Sequence, residues 1–430
     1  MKGRRVLMVS VTVVAMVVVA AGADLAAVAR EPALDPMTTP SPPAGNAAAV
    51  ERGAKIAALG NCITCHTTTD GRPFAGGLPI KTPFGIIYST NITPDAETGI
   101  GRWSLDAFRR AMRQGVSRDG HLLYPAFPYP HFTHMSDGDI ASLYAWLMSR
   151  DPVDALAPKN DLLFPLGFRP IMAAWNQLYL RPGPDESSLT SSDQQVARGR
   201  HLVDSLGHCG ACHTPLNRFG AERGESALQG GTIEGWDAPS LTDLSSRPRP
   251  WTQAQLVNYL RNGFASEHGA AAGPMRSVTR TLADAPDVDV RAIAMYLIAA
   301  TTGARASATT PVGTANINQP RDGAVLFAAA CASCHGENAP MSIDGDRPSL
   351  SLGTAVNADS PRNLVRVMLE GIDWDGSATT HFMPPFATTF TDAQIADLAN
   401  YTRARFSAQA PWPALDAHAV ARLRKESQER

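Results

Sequence analysis

Apolar residues recur at i, i+3 and i+6 in three well-separated places along the chain: Ile140, Leu143 and Trp146; Val290, Ile293 and Tyr296; Ile395, Leu398 and Tyr401. That spacing puts each triplet on one face of an α-helix. Two of these helices carry start signals, since Ser136-x-x-Asp139 and Thr391-x-x-Gln394 place a side-chain oxygen where the first turn leaves backbone N–H groups free; the third follows Pro286. Upstream of each lies another helix-like stretch with a glycine among charged residues: Glu51-Arg52-Gly53 through Leu59, Val196-Ala197-Arg198-Gly199 through Leu206, and Arg321-Asp322-Gly323 through Ala330. The intervening loops are rich in Gly, Pro, Thr and Asn and show few alternating runs, so the expected class is mainly α.

This recurrence divides the chain into units at 46–150, 190–302 and 318–407. Residues 151–189 carry Pro152, Pro158, Pro165, Pro170, Pro182 and Pro184 and read as a Pro-rich linker, whose Phe164–Leu180 stretch is apolar enough to pack across domains. Residues 303–317 read as an Ala/Thr/Gly-rich strap and 408–430 as a C-terminal tail. In that tail Leu415, Ala419 and Leu423 line one helix face beside Arg422, Arg424 and Lys425, a solvated surface helix with the membrane surface as the alternative partner.

A length of 430 residues with 44% hydrophobic and 18% charged positions suits several folded domains and excludes wholesale disorder and a polytopic membrane protein. Lys+Arg 38 against Asp+Glu 40 leaves a formal charge of -2, so no basic excess draws nucleic acid, which is not expected as a partner. Lys2, Arg4 and Arg5 precede an apolar run from Val6 to Ala23 and small-residue sites ending at Ala23 and Ala29. Residues 1–29 therefore read as an export signal or, because the run approaches the roughly 18 to 20 residues that span a bilayer, an N-terminal anchor. The expected location is the periplasmic side of the inner membrane, membrane-associated.

Cysteine changes the picture most. All six fall in three copies of one pattern: Cys62-x-x-Cys65-His66, Cys209-x-x-Cys212-His213 and Cys331-x-x-Cys334-His335. A redox dithiol gives no reason for a histidine after every pair, and a zinc site needs two pairs whereas these stand more than 100 residues apart. C-x-x-C-H is the attachment sequence of c-type haem, the thiols forming thioethers and the imidazole ligating iron. Three covalently bound haem c groups are expected, each filling a domain too small to be secure on its own apolar residues. Met383 stands eight residues before the cap Thr391, and Met275 occupies the matching stretch of the second unit, so both are candidate sixth ligands.

These motifs stand with Phe74-Ala75-Gly76-Gly77, Thr82-Pro83-Phe84-Gly85, Ser89 through Asp95, Leu228-Gln229-Gly230-Gly231, Gly235-Trp236 and His268 through Met275. Over residues 46–407 the chain resembles the three-haem cytochrome c subunit of bacterial membrane-bound dehydrogenases, the family serving alcohol, gluconate and sorbitol dehydrogenases. The resemblance implies three tandem class I cytochrome c-like domains that take electrons from a separate catalytic subunit and pass them to ubiquinone or a terminal oxidase. No nucleotide-binding glycine loop or nucleophile–base motif speaks for catalysis within the chain itself. The catalytic partner is a quinoprotein, a flavoprotein or a molybdenum hydroxylase acting on an N-heteroaromatic or aldehyde substrate.

One position departs from the family: Phe127 stands where methionine is frequent, and phenylalanine cannot ligate iron. His131, His134 and Met135 are the local replacements. Met135 also suits a staple against Ile140, so His131 is preferred. An open iron there would instead suit a multihaem peroxidase or oxidase, and a free periplasmic electron shuttle is a third possibility. Pro239 and Pro348 resemble the proline whose carbonyl receives the second N–H of a proximal histidine, with Thr90 in the related place. His121, His201, His208, His268, His381 and His418 are expected on the surface or in loops.

Overall fold

The computed structural model describes residues 31–38, 47–69, 71–183, 193–247, 249–301, 321–336, 339, 349–372 and 382–428. Segment 1–29, Pro184, the strap 303–317, Pro348 and His381 lie outside the described residues. The chain groups into two units: Met1–Ser187 with Asp204–His208, and Ser188–Val203 with Cys209–Arg430.

The first unit contains α1 (Ala47–Leu59), the antiparallel hairpin β1 (Pro79–Thr82) and β2 (Gly85–Tyr88), α2 (Leu105–Gln114), α3 (Asp137–Met148), β3 (Asp161–Leu162) and α4 (Ile171–Tyr179). α1 crosses α3 at Gly53. A Cβ added there would stand under 3.0 Å from the Ser142 carbonyl oxygen and the Trp146 Cβ, so the helices meet backbone to backbone. Arg52 closes the crossing on buried Asp139 at 2.6 Å. The cap of α3 forms as expected in one half, Ser136 Oγ accepting from Asp139 N at 3.0 Å, while the Asp139 carboxylate is taken by Arg52 and the Ser136 hydroxyl.

The segment expected as a linker belongs to this unit up to Gly183. β3 pairs with β2, and Met172 of α4 joins Val116, Leu122 and Tyr124 in a buried cluster. Tyr124 Oη donates to Leu166 O at 2.9 Å and Tyr129 Oη to Asn176 Oδ1 at 2.5 Å. The Ser89–Asp95 stretch has a structural task, since buried Asn91 donates to Val153 O at 2.6 Å and accepts from Thr93 N at 2.9 Å. It thereby pins the chain that leaves α3.

The second unit contains α5 (Gln194–Asp204, whose last residue groups with the first unit), the hairpin β4 (Gly231–Ile233) and β5 (Trp236–Ala238), α6 (Gln253–Asn262), β6 (Phe264–Ala265), β7 (Gly269–Ala270), α7 (Pro274–Ala283), α8 (Asp287–Thr301), α9 (Arg321–Ala330), α10 (Arg362–Glu370), α11 (Asp392–Phe406) and α12 (Ala417–Gln428). The glycine crossing recurs twice. A Cβ at Gly199 would stand under 3.0 Å from Ala292 O and Tyr296 Cβ, and one at Gly323 equally close to Asp397 O and Tyr401 Cβ. Arg198 reaches Asp289 at 3.0 Å, repeating Arg52 and Asp139. The capping box at Thr391 and Gln394 is complete, and a second, not anticipated, starts α6 at Thr252 and Gln255.

The tail, expected as a solvated surface helix, packs its apolar face on α10 and α11. Val420 and Leu423 of α12, with Trp412 and Leu415, share one buried cluster with Leu369, Ile395 and Leu398. Arg424 fixes it by donating to Asp392 Oδ1 at 2.7 Å and Phe390 O at 2.9 Å. The apolar face read as solvent- or membrane-facing is therefore already covered, because burying it against α10 and α11 removes more apolar surface from water than leaving it exposed. Among the described residues no helix is long and apolar enough to cross a membrane.

Candidate functional site

Each cysteine motif forms one helical turn: Cys62–Cys65, Gly210–His213 and Ala332–His335. The backbone N–H groups of His66, His213 and His335 donate to the carbonyls of Cys62, Cys209 and Cys331 at 3.1, 3.0 and 2.8 Å. This i to i+4 closure sets the first thiol and the imidazole on the same face of the turn.

The first two sites are built by the same bonds. His66 Nδ1 donates to Thr90 O at 2.7 Å and His213 Nδ1 to Pro239 O at 2.7 Å, as expected of both carbonyls. Gly76 N donates to His66 O and Gly230 N to His213 O, each at 2.8 Å. The threonine after each histidine braces the next turn: Thr67 Oγ1 accepts from Phe74 N at 3.1 Å and Thr214 Oγ1 from Leu228 N at 3.0 Å. Phe74 and Leu228 sit in the left-handed region at φ 65° and 60°. Their carbonyls accept from Ile92 N and Leu241 N at 2.9 and 2.8 Å. Sequence reasoning missed this brace, although threonine directly following two of the three motifs was its visible signal.

Fixing Nδ1–H on a carbonyl settles the tautomer and leaves the Nε2 lone pair for a metal. Burial holds His66 and His213 below the usual imidazole pKa, and the carbonyl bonds oppose that shift only in part, so both rings are neutral at pH 7. Burial also pushes the Cys62 thiol up to about 12 and the Cys331 thiol up to about 11. Such thiols are poor thiolate ligands and poor exchange nucleophiles. Among the described residues no group of three or more His, Cys, Asp or Glu is placed to hold a metal ion. A group held by two thioethers and one imidazole suits the residues of each motif.

Met275 is the second residue of α7, and Gly273 before it lies within 3.0 Å, at its Cβ position, of the Trp236 indole. Trp236 is 5% exposed, and its Nε1 is buried with no hydrogen-bond partner among the described residues. An orphan donor at this place fits a bound group bearing carboxylates, as a porphyrin does. Met383 bridges Ile372 through paired backbone bonds of 2.8 and 3.0 Å. Both methionines are half-buried.

In the first unit the Phe127 ring packs on Phe132 and Tyr129, with centroids 5.5 and 6.3 Å apart. Met135 is 1% exposed at the start of α3, and its carbonyl accepts from Arg113 at 2.8 Å. His131 is half-buried with Nδ1 2.8 Å from Asp204 O, the same carbonyl anchoring seen at His66 and His213. His121 pairs with Asp119 at 2.6 Å, and His418 is exposed. His268 lies in the loop between β6 and β7, as expected, but is buried there: it is 6% exposed, stacked on Trp251 at 3.7 Å and 11°, and burial pushes it down to about 4.

Two family models match the chain, cytochrome c over residues 50–151 and cytochrome c oxidase, cbb3-type, subunit III over residues 318–401. The fructose dehydrogenase cytochrome subunit of Gluconobacter japonicus is 36% identical, over 86% of this chain and 82% of its own length. The gluconate 2-dehydrogenase cytochrome c subunit of Pantoea cypripedii is 37% identical, over 89% and 90%. The chain belongs to the cytochrome c subunits of dehydrogenases. Its cytochrome c domains imply covalently bound haem c, and membership implies electron transfer with a dehydrogenase. A nicotinate dehydrogenase subunit of Pseudomonas putida is 46% identical over 90% of this cytochrome c subunit, which spans 33% of that longer protein.

Proposed function

We propose that this subunit is a three-haem electron carrier. It takes electrons from a partner dehydrogenase and delivers them to ubiquinone or a terminal oxidase at the periplasmic face of the inner membrane. The observation that carries the count is the repeated assembly of a glycine-centred helix crossing and an adjoining Cys-x-x-Cys-His turn, at Gly53 with His66, Gly199 with His213 and Gly323 with His335. Bound haem supplies a one-electron ferric/ferrous couple. The protein supplies thioether attachment through Cys62, Cys65, Cys209, Cys212, Cys331 and Cys334, proximal imidazoles from His66, His213 and His335, and distal ligands from His131, Met275 and Met383. The anchored Nδ1 of His131 favours a ligating imidazole over an open iron. Mass measurement of the exported protein is expected to show three haem additions; two would remove one domain from this account.

The partner is a molybdenum hydroxylase of the N-heteroaromatic class. Supporting it are the 46% identity to a nicotinate dehydrogenase subunit, against 36 and 37% for the sugar and sugar-acid relatives, and the replacement of methionine by Phe127. Affinity purification from membranes is expected to bring down a large dehydrogenase oxidising N-heteroaromatic substrates. Recovery of the cytochrome alone would support a free shuttle, and recovery with a quinoprotein would reassign the donor.

A further inference from the structure

α10 stands between the two methionine loops of the second unit. Toward one of them, Arg366, wholly buried, donates to Gly235 O at 2.9 Å and lays its guanidinium over Trp236, with Cζ 5.1 Å from the ring centroid. That same indole lies against Gly273, two residues before Met275. Toward the other, the last turn of α10 supports Met383. Gly371 leaves no room for a Cβ beside Met383 O, Met368 O accepts from Phe386 N at 2.9 Å, and Leu369 O accepts from Ala387 N at 3.3 Å. Arg366 and Glu370 are paired at 2.8 Å, one turn apart. The guanidinium therefore lies on the Met275 side, and Glu370 stands one turn further along α10, next to the Gly371 that packs on Met383 O.

The surrounding charges are more exposed. Arg362 donates to Gly235 O at 3.1 Å, pairs with Glu426 and stands 3.6 Å from Asp237; Glu426 is 3.9 Å from Arg366. Ser427 donates to Glu370 Oε1 at 2.6 Å. Glu426, 43% exposed, is the most screened of these groups, while Arg362, 27% exposed, adds a second, partly screened cation beside fully buried Arg366; Glu370 is 22% exposed. Asn363 grips the hairpin from both sides, accepting from Asp237 N at 2.9 Å and donating to Asp237 O at 2.8 Å, so the indole cannot slide along the guanidinium.

We propose that the Arg366–Glu370 pair is an oriented dipole that biases the redox equilibria of the Met275 and Met383 sites in opposite directions, raising the potential of the first of these and lowering that of the second. This rests on the assignment of Met275 and Met383 as iron ligands. A buried cation disfavours the more positive ferric state near it, and a carboxylate favours that state near it; low local dielectric keeps both effects alive. An electron shared by these two sites then sits further toward the Met275 site than the axial ligands alone would set.

Potentiometric titration of the full-length holoprotein tests this with the double variant Arg366→Met/Glu370→Gln, which neutralises both ends and strands no charge. The Met275 site is expected to fall and the Met383 site to rise, each by about tenfold in its reduction equilibrium, ~59 mV for one electron. Should the double variant fail to fold, Glu370→Gln alone is expected to raise the Met383 site more than the Met275 site. Met275→Leu and Met383→Leu, each removing one methionine-to-iron charge-transfer band, identify the two potentials. Potentials that stay fixed or move together, with both bands intact, overturn the dipole; bands untouched by either leucine variant overturn the ligand assignment beneath it.

Discussion

Replacing Gly199 by alanine is expected to lower the stability of its helix crossing by about 3 kcal/mol or more, and to reduce haem attachment at Cys209 and Cys212 while leaving the other two motifs loaded. In an open helix the same change would gain about 1 kcal/mol, since glycine is the poorer helix former. Here a Cβ at 199 would stand under 3.0 Å from the Ala292 carbonyl and the Tyr296 Cβ, neither being the movable end of a side chain. α5 and α8 must part, and α5 leads directly into the Cys209–His213 motif. Gly224→Ala is the control, because nothing lies within 4 Å of its Cβ position, and its effect should stay within about 0.5 kcal/mol. Thermal unfolding and haem counting of the exported variants decide between them; a Gly199→Ala protein as stable as its parent would show that the crossing is looser than described.

The parts of this molecule that chemistry fixes locally were readable in its sequence. Three cysteine motifs, the apolar triplets ending at Trp146, Tyr296 and Tyr401, and the box at Thr391 and Gln394 each follow from a spacing of a few residues. The carbonyls of Thr90 and Pro239 were legible too, through resemblance. What could not be read depends on residues that meet only after folding. Arg366 looks in sequence like an ordinary charge on an amphipathic helix, and nothing nearby signals that Gly235 O and Trp236 will bury it. The tail read as surface because its Arg and Lys residues crowd one face; Arg424 is instead absorbed by Asp392 and Phe390 O, distant in sequence. The Pro-rich stretch read as a linker because proline breaks helices, yet a two-residue strand and one helix suffice to dock it on the first unit.

Replacing His131 by methionine is expected to raise the potential of the first haem site by more than about tenfold in its reduction equilibrium, above ~59 mV, and to leave the other two sites nearly fixed. Imidazole stabilises ferric iron better than a thioether does, so under the proposed ligation a site held by His66 and His131 would lie below sites held by His213 with Met275 and His335 with Met383. Under that ligation the first site would be the most reducing of the proposed sites and the favoured point of electron entry. The anchored Nδ1 of His131, 2.8 Å from Asp204 O, holds the ring in one tautomer, and Nε2 is the nitrogen that would ligate on the proposed assignment. Met135 provides the opposing test. Being 1% exposed, it should cost about 2 to 4 kcal/mol on truncation to alanine while leaving every charge-transfer band in place. A titration in which His131→Ala shifts no haem, or a Met135→Ala protein that loses a methionine-to-iron band, would reverse the assignment and make the first site as oxidising as the others. Entry at the first unit would then have no thermodynamic basis in its ligands.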